Sequence, residues 1–532
     1  MPSLENHPGN TGRHAGLLVP LFSMRAKHDW GTGDFTSLVS WIEWCASTGT
    51  KIVQILPIHE MPWGQECPYT ALSAFALDPV FISVEDVEDV RVCAEAQKLI
   101  KSAEFTSELE QLRKAATVDY KRIKALKYKA LWAGFNHFYN EHWKNCSSRA
   151  KQFSVFRDEA GWWLDDYALF RTMKDMNNWK SWTEWDYDMK TRDPGALGAF
   201  KTRHLEQVMF FEYLQWVADE QWQKVRSTCK RTGVWLFGDL PFMVNQESAD
   251  VWANQDVFDI SAEIGAPPDQ FSTEGQRWGL PAYRWDRLEG SDFAWWRKRV
   301  RRAREIYDLF RLDHLIGFFR TWIVPHDRSQ KAHFDVTDEY QQQLRGEKFL
   351  RAVIDEADPA LPIAEDLGVV PDFARNTLLK LHIPGYKVLR WEQHKDGSFK
   401  DPNDYPKVSL ATTATHDTET LREWWDTMPA AEKEKVWLML TGEKNHHPRF
   451  SEHVQDTVLG RLFGGRSAIT LIPVQDIFGM SERINTPGTV GPHNWSYRFP
   501  LPIEKLAAST KYHDRIAMYS KILKEKGRYH AV

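Results

Sequence analysis

Short apolar runs recur along the chain at 16–22, 52–58, 234–237, 306–310, 361–364, 386–391, 408–413 and 468–474, each bounded by polar or turn residues. Runs this brief and this continuously apolar predict strands buried on both faces. Between them the period becomes helical. In residues 34–46, Phe35, Leu38, Val39, Ile42 and Cys45 fall on one face, and Asp34 stands where an N-cap belongs. Strands that alternate with helices eight times predict an α/β fold, a parallel (β/α)8 TIM barrel.

The spacing of the strands is uneven. Far more chain separates the second from the third than one crossover helix needs, so residues 60–230 are expected to form an inserted, mainly helical subdomain. A second excursion, 243–304, separates the third strand from the fourth and carries Gly265-Ala266-Pro267-Pro268-Asp269 and Gly275-Gln276-Arg277-Trp278-Gly279. Both leave from the carboxyl ends of strands, the face on which such barrels bind substrate. The whole chain, 1–532, therefore reads as a single decorated barrel domain, with no repeat and no low-complexity linker.

Composition narrows the function classes. The 68 basic and 73 acidic residues leave a net charge of −5, which favours neither a nucleic-acid nor a membrane partner. No apolar run approaches the ~20 residues of a membrane span, and the polar amino terminus lacks the apolar stretch of a secretory signal. Five scattered cysteines without a CxxC pair predict reduced thiols and a cytoplasmic location. The tract Arg297–Arg304 invites a nucleic-acid reading, but Phe293, Trp296, Val300, Ala303, Ile306 and Phe310 approximate helical spacing, so its arginines are expected on the solvated face of a helix. The 25 tryptophans are mostly core, with a few expected in a cleft, where indole faces pack on sugar rings.

Three carboxylates sit at or just past the carboxyl ends of predicted strands: Asp313 in Arg-Leu-Asp-His, Glu365 in Ala-Glu-Asp-Leu-Gly and Asp417 in Thr-His-Asp-Thr. A pair of this kind suits glycosidic-bond chemistry, in which one acid protonates the leaving oxygen and the other attacks or activates the anomeric carbon. A third can hold sugar hydroxyls. Arg311, two residues before Asp313 on a strand, points to the same side and would keep that carboxylate ionised. Glu365 must begin protonated and is expected to have a raised pKa. Asp366 falls on the opposite side of its strand and reads as a loop or cap ligand. His314 and His416 flank two of the acids and suit hydrogen bonding to ring hydroxyls. No histidine pair has ligand spacing on a strand, so no metal site is expected, and exchange of one glycosidic bond for an equivalent one needs no cofactor.

These settings resemble a known family. RLDHLIGFFR, AEDLG, TTATHDTET, GDLPF (238–242), SADVWA (248–253), GQRWGLPAYRW (275–285), INTPGTV (484–490) with Asn494-Trp495, CPYTALSAFALDPVFI (67–82) and WLDDYALFRTMKD (163–175) are similar to segments of the 4-α-glucanotransferases, the amylomaltases or disproportionating enzymes of glycoside hydrolase family 77. The likeness runs from about residue 16 to 499. It implies that Asp313 is the nucleophile of a covalent glucosyl-enzyme, Glu365 the general acid/base and Asp417 the residue that holds sugar hydroxyls. It further implies Tyr69 as an aromatic platform, Trp278 as the lip of a mobile loop, Asp239 as an orienting group and Asn494 as a substrate contact. Donors would be maltooligosaccharides and amylose- or glycogen-derived glucans, and acceptors glucose or maltooligosaccharides. Two segments depart from the family's familiar form: Thr418-Glu419 stands where the motif commonly continues Asn-Asp, and Gly385–Glu392 differs along the sixth strand.

Two other readings use the same residues. An α-amylase-like hydrolase employs the same three acids and differs in whether water or a sugar reaches the intermediate first. A catalytically silent glucan-binding barrel would not need all three acids in intact motifs.

Overall fold

The computed structural model describes residues 4–268, 275–444, 447–506 and 508–531. Eight parallel strands close into a barrel: β1 (His14–Leu18), β2 (Ile52–Gln54), β3 (Trp235–Leu240), β4 (Leu309–Leu312), β5 (Leu361–Ala364), β6 (Gly385–Val388), β7 (Ser409–Thr412) and β8 (Ile469–Pro473), with β8 pairing back onto β1. Every predicted strand is present in order. Several are shorter or shifted: the fourth begins at Leu309, because the helix before it runs on to Ile306, and the third extends to Leu240. Periodicity marks the apolar run, whereas ladder hydrogen bonds decide where a strand starts.

The predicted helix forms over Phe35–Thr48. Asp34 caps it by accepting the Ser37 N–H at 2.8 Å, and Gly49 closes it in the left-handed region at φ 82°. Phe35, Leu38, Ile42 and Cys45 are buried on its barrel-facing side, together with Trp41.

The insertion after β2 is helical, dominated by Tyr120–His137, Ser148–Met176 and Leu205–Thr232. The last of these packs against the Phe35–Thr48 helix and leads directly into β3, so it belongs to the barrel layer as much as to the insertion. The second excursion is not mainly helical. Phe258–Ala266 and Gln276–Tyr283 pair antiparallel, and the first also pairs with Trp322–Pro325 from the loop after β4, giving a four-stranded sheet beside the barrel mouth. Asp269, at the end of that excursion's first motif, lies outside the described residues.

The arginine tract forms the helix Ala294–Ile306. Arg301 pairs with Glu356 on its outer side, whereas Arg302, mostly buried, pairs with Glu305 and lies over the Trp163 ring. Arg299 departs from the solvated-face expectation. It is buried among Trp295 and Trp296 and donates to the carbonyls of Pro241 (2.6 Å) and Phe242 (3.3 Å) at the end of β3.

Candidate active site

Strand register places the site's charges side by side. Arg311 on β4 is the register partner of Asp239 on β3, and Leu312 is the partner of Ala364 on β5. The next residues along, Asp313 and Glu365, therefore leave the barrel as neighbours. Their amides still bond the rim, Asp313 N–H to Leu240 O at 3.3 Å and Glu365 N–H to Leu312 O at 3.0 Å.

Arg311 organises these acids. Its Nη1 donates to both oxygens of Asp239 at 2.8 and 3.0 Å. Its Nη2 lies 2.8 Å from Asp313 Oδ1 and 2.8 Å from Glu365 Oε2, so at most twice that distance separates the two carboxylate oxygens. Three acids around one guanidinium cannot all ionise cheaply in a buried setting. Burial, helped by the negative charge of Asp313, pushes Glu365 up to about 7 despite Arg311. Asp313 goes the other way: burial opposes its charge, but Arg311 and the Phe242 N–H (3.1 Å) hold it below the usual carboxylate range. Burial likewise raises Asp239 to about 6, against the pull of Arg311. The neighbours thus carry opposite tendencies, one to keep a proton and one to lose it.

The backbone assists. His314 sits in the left-handed region at φ 50°, and its N–H points at Glu365 Oε2, 2.8 Å away. Such a conformation costs of order 1 kcal/mol in a non-glycine residue and persists where the surroundings fix it. Burial drives the His314 imidazole down to about 4, so the ring is neutral near pH 7. Trp278 meets it edge-on at 4.9 Å. The Trp278 turn is pinned by Glu263, which binds Arg277 Nε at 2.5 Å and accepts the Gly279 N–H at 2.7 Å, with Gly279 at φ 67°. The sheet beside the barrel is what brings the tryptophan over the acids.

Asp417 follows β7 by five residues and closes the opposite side. Burial opposes its ionisation, but His416 Nε2 at 3.2 Å and Asn485 Nδ2 at 2.7 Å hold it well below the usual range. His416 is raised in return: burial works against its charge, and Asp417 more than compensates. The Tyr69 ring stacks on the His416 ring at 5.3 Å, and its hydroxyl donates to Asp239 at 2.7 Å. The loop bearing Tyr69 is held from the helical insertion, because the buried Glu60 at its start binds Arg171 Nε at 2.8 Å and bonds the Tyr167 hydroxyl. Tyr69, Asp239, Trp278, Arg311, His314 and His416 thus surround the three acids.

Asn494 does not join them. Its carbonyl oxygen accepts the Thr486 N–H at 2.9 Å, and its amide donates to Thr489 O and Oγ1, so its side chain is engaged in shaping its own loop. Asn485, from the same INTPGTV motif, is the residue that reaches the site, and two asparagines nine positions apart give a sequence reader no means to choose between them. Asp366 turns away, as strand alternation requires, and accepts the Tyr386 N–H at 2.7 Å. A Cβ at Gly385 would strike its carboxylate, which accounts for the glycine at that position.

The profile of the 4-alpha-glucanotransferases, glycoside hydrolase family 77, matches residues 19–503. The chain belongs to this family. The 4-alpha-glucanotransferase of Chlamydia pneumoniae is 32% identical over 529 residues, covering 96% of this chain and 95% of its own, and the chloroplastic/amyloplastic enzyme of Arabidopsis thaliana is 31% identical, covering 96% and 86%. A solved amylomaltase from Streptococcus agalactiae in complex with acarbose superposes with a TM-score of 0.81 at 24% identity, over 97% of this chain and all of that one. As a 4-α-glucanotransferase, this chain transfers segments of α-1,4-glucans by the retaining double displacement general to the family. Among the described residues no helix is long and apolar enough to cross a membrane.

Proposed function

We propose that Asp313 is the nucleophile, Glu365 the proton donor and acceptor, and Asp417 the residue that grips sugar hydroxyls as positive charge develops on the ring. The observation that carries this is the Arg311 nitrogen shared by Asp313 and Glu365 at 2.8 Å each, which with burial lowers the pKa of Asp313 and leaves that of Glu365 raised to about 7. A separation this short suits a retaining pair at about 5–5.5 Å rather than an inverting pair at ~6.5–9.5 Å.

In the first half-reaction Asp313 attacks the anomeric carbon as the bond to the leaving 4-oxygen breaks, and Glu365 gives that oxygen its proton. The product is a glucosyl ester of Asp313. Glu365, now a carboxylate, takes the proton of an incoming 4-hydroxyl, whose oxygen attacks the anomeric carbon and frees Asp313. Asp239 and Tyr69 hold Arg311 and the platform in place, the two histidines and Asn485 serve hydroxyls on either side, and Trp278 shields the ester from water. The donors are maltooligosaccharides and amylose- or glycogen-derived glucans, and the acceptors glucose or maltooligosaccharides. A cytoplasmic location fits five free thiols.

Incubation with maltotriose tests this reading. Glucose should appear together with maltopentaose and longer chains, while the number of reducing ends stays nearly constant. Steady growth of reducing ends, with only products shorter than the substrate, would return the α-amylase-like alternative. For the residue roles, Asp313→Ala should abolish turnover, and Glu365→Gln should accumulate glucosyl-enzyme from an activated glucosyl fluoride, whose leaving group needs no proton. Normal transfer by Asp313→Ala would remove it from the nucleophile role.

A further inference from the structure

The loops after β6, β7 and β8 converge on one carboxylate that has no part in the steps above. Glu419 Oε2 lies 2.7 Å from Arg390 Nη1, beyond β6, and Glu419 Oε1 lies 3.0 Å from Arg483 Nη2, beyond β8. The Arg390 guanidinium also donates to the Glu419 carbonyl at 2.8 Å, reaches the Thr413 carbonyl at 3.4 Å, and lies over the Trp424 ring. Glu419 is two residues past Asp417, and Arg483 is two residues before Asn485, whose amide holds Asp417 Oδ1. The same loop is fixed at its two ends by the buried Asp476, which accepts from the Thr413 hydroxyl at 2.5 Å and from the Leu421 N–H at 2.7 Å. The two segments that depart from the family's familiar sequence, Gly385–Glu392 and Thr418-Glu419, are therefore in contact with each other.

We propose that Glu419 is a positioning residue for glucan transfer: by bridging Arg390 and Arg483 it fixes Asp417 and Asn485 relative to each other, so that Asp417 meets the sugar hydroxyls in one geometry. The inference rests on the reading of Asp417 as the hydroxyl-holding acid.

The two arms of the bridge are unequal. Arg390 is nearly fully buried, so losing Glu419 removes its direct carboxylate contact and leaves the guanidinium with the more distant charge of Asp476. Arg483 and Glu419 are partly exposed on the outer side, where water and salt screen the pair. Bridging also requires length. Each carboxylate oxygen engages a different guanidinium, so aspartate keeps the charge but, one methylene shorter, cannot span both.

Variants Glu419→Gln, Glu419→Asp and Arg483→Gln, assayed on maltotriose, test the proposal alongside Asp417→Asn and the double variant Glu419→Gln/Asp417→Asn. An interaction that matters in the transition state lowers kcat and kcat/KM together and leaves KM little changed. Glu419→Gln should lower kcat at least tenfold with KM within twofold, Glu419→Asp should fall between it and wild type, and Arg483→Gln should lose a few-fold. On the Asp417→Asn background, followed with an activated glucosyl fluoride, Glu419→Gln should add less than twofold, because it acts through Asp417. Should Glu419→Gln fail to fold, the same comparison is made with Arg483→Gln, whose penalty must likewise vanish on that background. The proposal is overturned if the kcat of Glu419→Gln stays within twofold of wild type, or if the penalty persists in full without Asp417. Wild-type turnover by Asp417→Asn would overturn the reading of Asp417 itself, and the inference with it. A severe Asp417→Asn beside a silent Glu419→Gln would sink the inference alone.

Discussion

Arg311 and Glu365 lie 2.8 Å apart, yet Glu365 is the acid that keeps its proton. A guanidinium at hydrogen-bond distance ordinarily drives a carboxyl to ionise. Here Arg311 is already shared with Asp239 and Asp313, and burial together with the Asp313 charge outweighs what attraction remains. One cation among three acids sorts them into unlike roles.

The pH profile should follow that sorting. With Glu365 at about 7 and Asp313 below the usual range, kcat/KM should be bell-shaped, with an alkaline limb near pH 7 and an acid limb below the ordinary aspartate range. Arg311→Lys replaces the forked donor by a point charge that cannot serve three carboxylates at once. It should lower kcat/KM about 100-fold and move the acid limb upward as Asp313 loses its partner. An unchanged acid limb in steady-state kinetics would exclude this coupling.

Glu365 should also mark the stability curve. Its folded pKa, about 7, lies above the ordinary 4.5, so the folded chain holds a proton that the unfolded chain releases. The resulting stability is complete below pH ~4.5 and is lost as pH rises to about 7, with about 1.4 kcal/mol given up for each pH step of one across that window. Glu365→Gln has no such group. Its melting temperature should gain on wild type across that window and hold a constant lead above it, as differential scanning calorimetry would read.

Tyr69→Phe removes the hydroxyl that donates to Asp239 at 2.7 Å while keeping the ring stacked on His416. A hydrogen bond to a buried, partly charged acceptor is worth about 1.5–3 kcal/mol. The variant should lose about tenfold or more in kcat/KM, whereas Tyr69→Leu, which also loses the platform, should lose more. Equal losses would assign the whole effect to the hydroxyl, and an unimpaired Tyr69→Phe would assign it to the ring.

Trp278→Ala should shift partition more than rate. The indole stands edge-on to His314 above the acids, so its removal opens the glucosyl ester to water. Reducing ends released per bond cleaved should rise several-fold over wild type, with donor cleavage falling less. A constant transfer-to-hydrolysis ratio, from reducing-end assay and product chromatography on one sample, would contradict the shielding role.

Asn485→Ala should weaken the grip of Asp417 without deleting it. Among the described residues the amide is one of the two close hydrogen-bonding partners of that carboxylate, the other being His416. A fall of about tenfold in kcat, with KM nearly constant, is expected from steady-state assays. Asn494→Ala should instead act through its loop and appear as lowered stability, since its amide bonds only within residues 486–494 among the described residues.

The barrel and its acids were legible in the local pattern of residues. Short two-face-buried runs alternating with helices require a parallel sheet covered by those helices, and eight of them suit a closed barrel, while Arg311, Asp313 and Glu365 lie at strand ends where period-two alternation fixes their direction. The tertiary structure decided what depends on register and on loops. Asp239 meets Arg311 only because β3 and β4 pair in one register. Trp278 reaches the site because an antiparallel pair forms inside an excursion with no clean alternation, carrying Gly265, Pro281 and a register shift. Arg299 turns inward because the carbonyls of Pro241 and Phe242 need donors there, a demand set by residues nearly sixty positions away. The choice of Asn485 over Asn494, and the meeting of Arg390 with Glu419 and Arg483, follow from how loops on three strands fold against each other. Local pattern carries no record of such contacts, because their energy exists only once the barrel has closed.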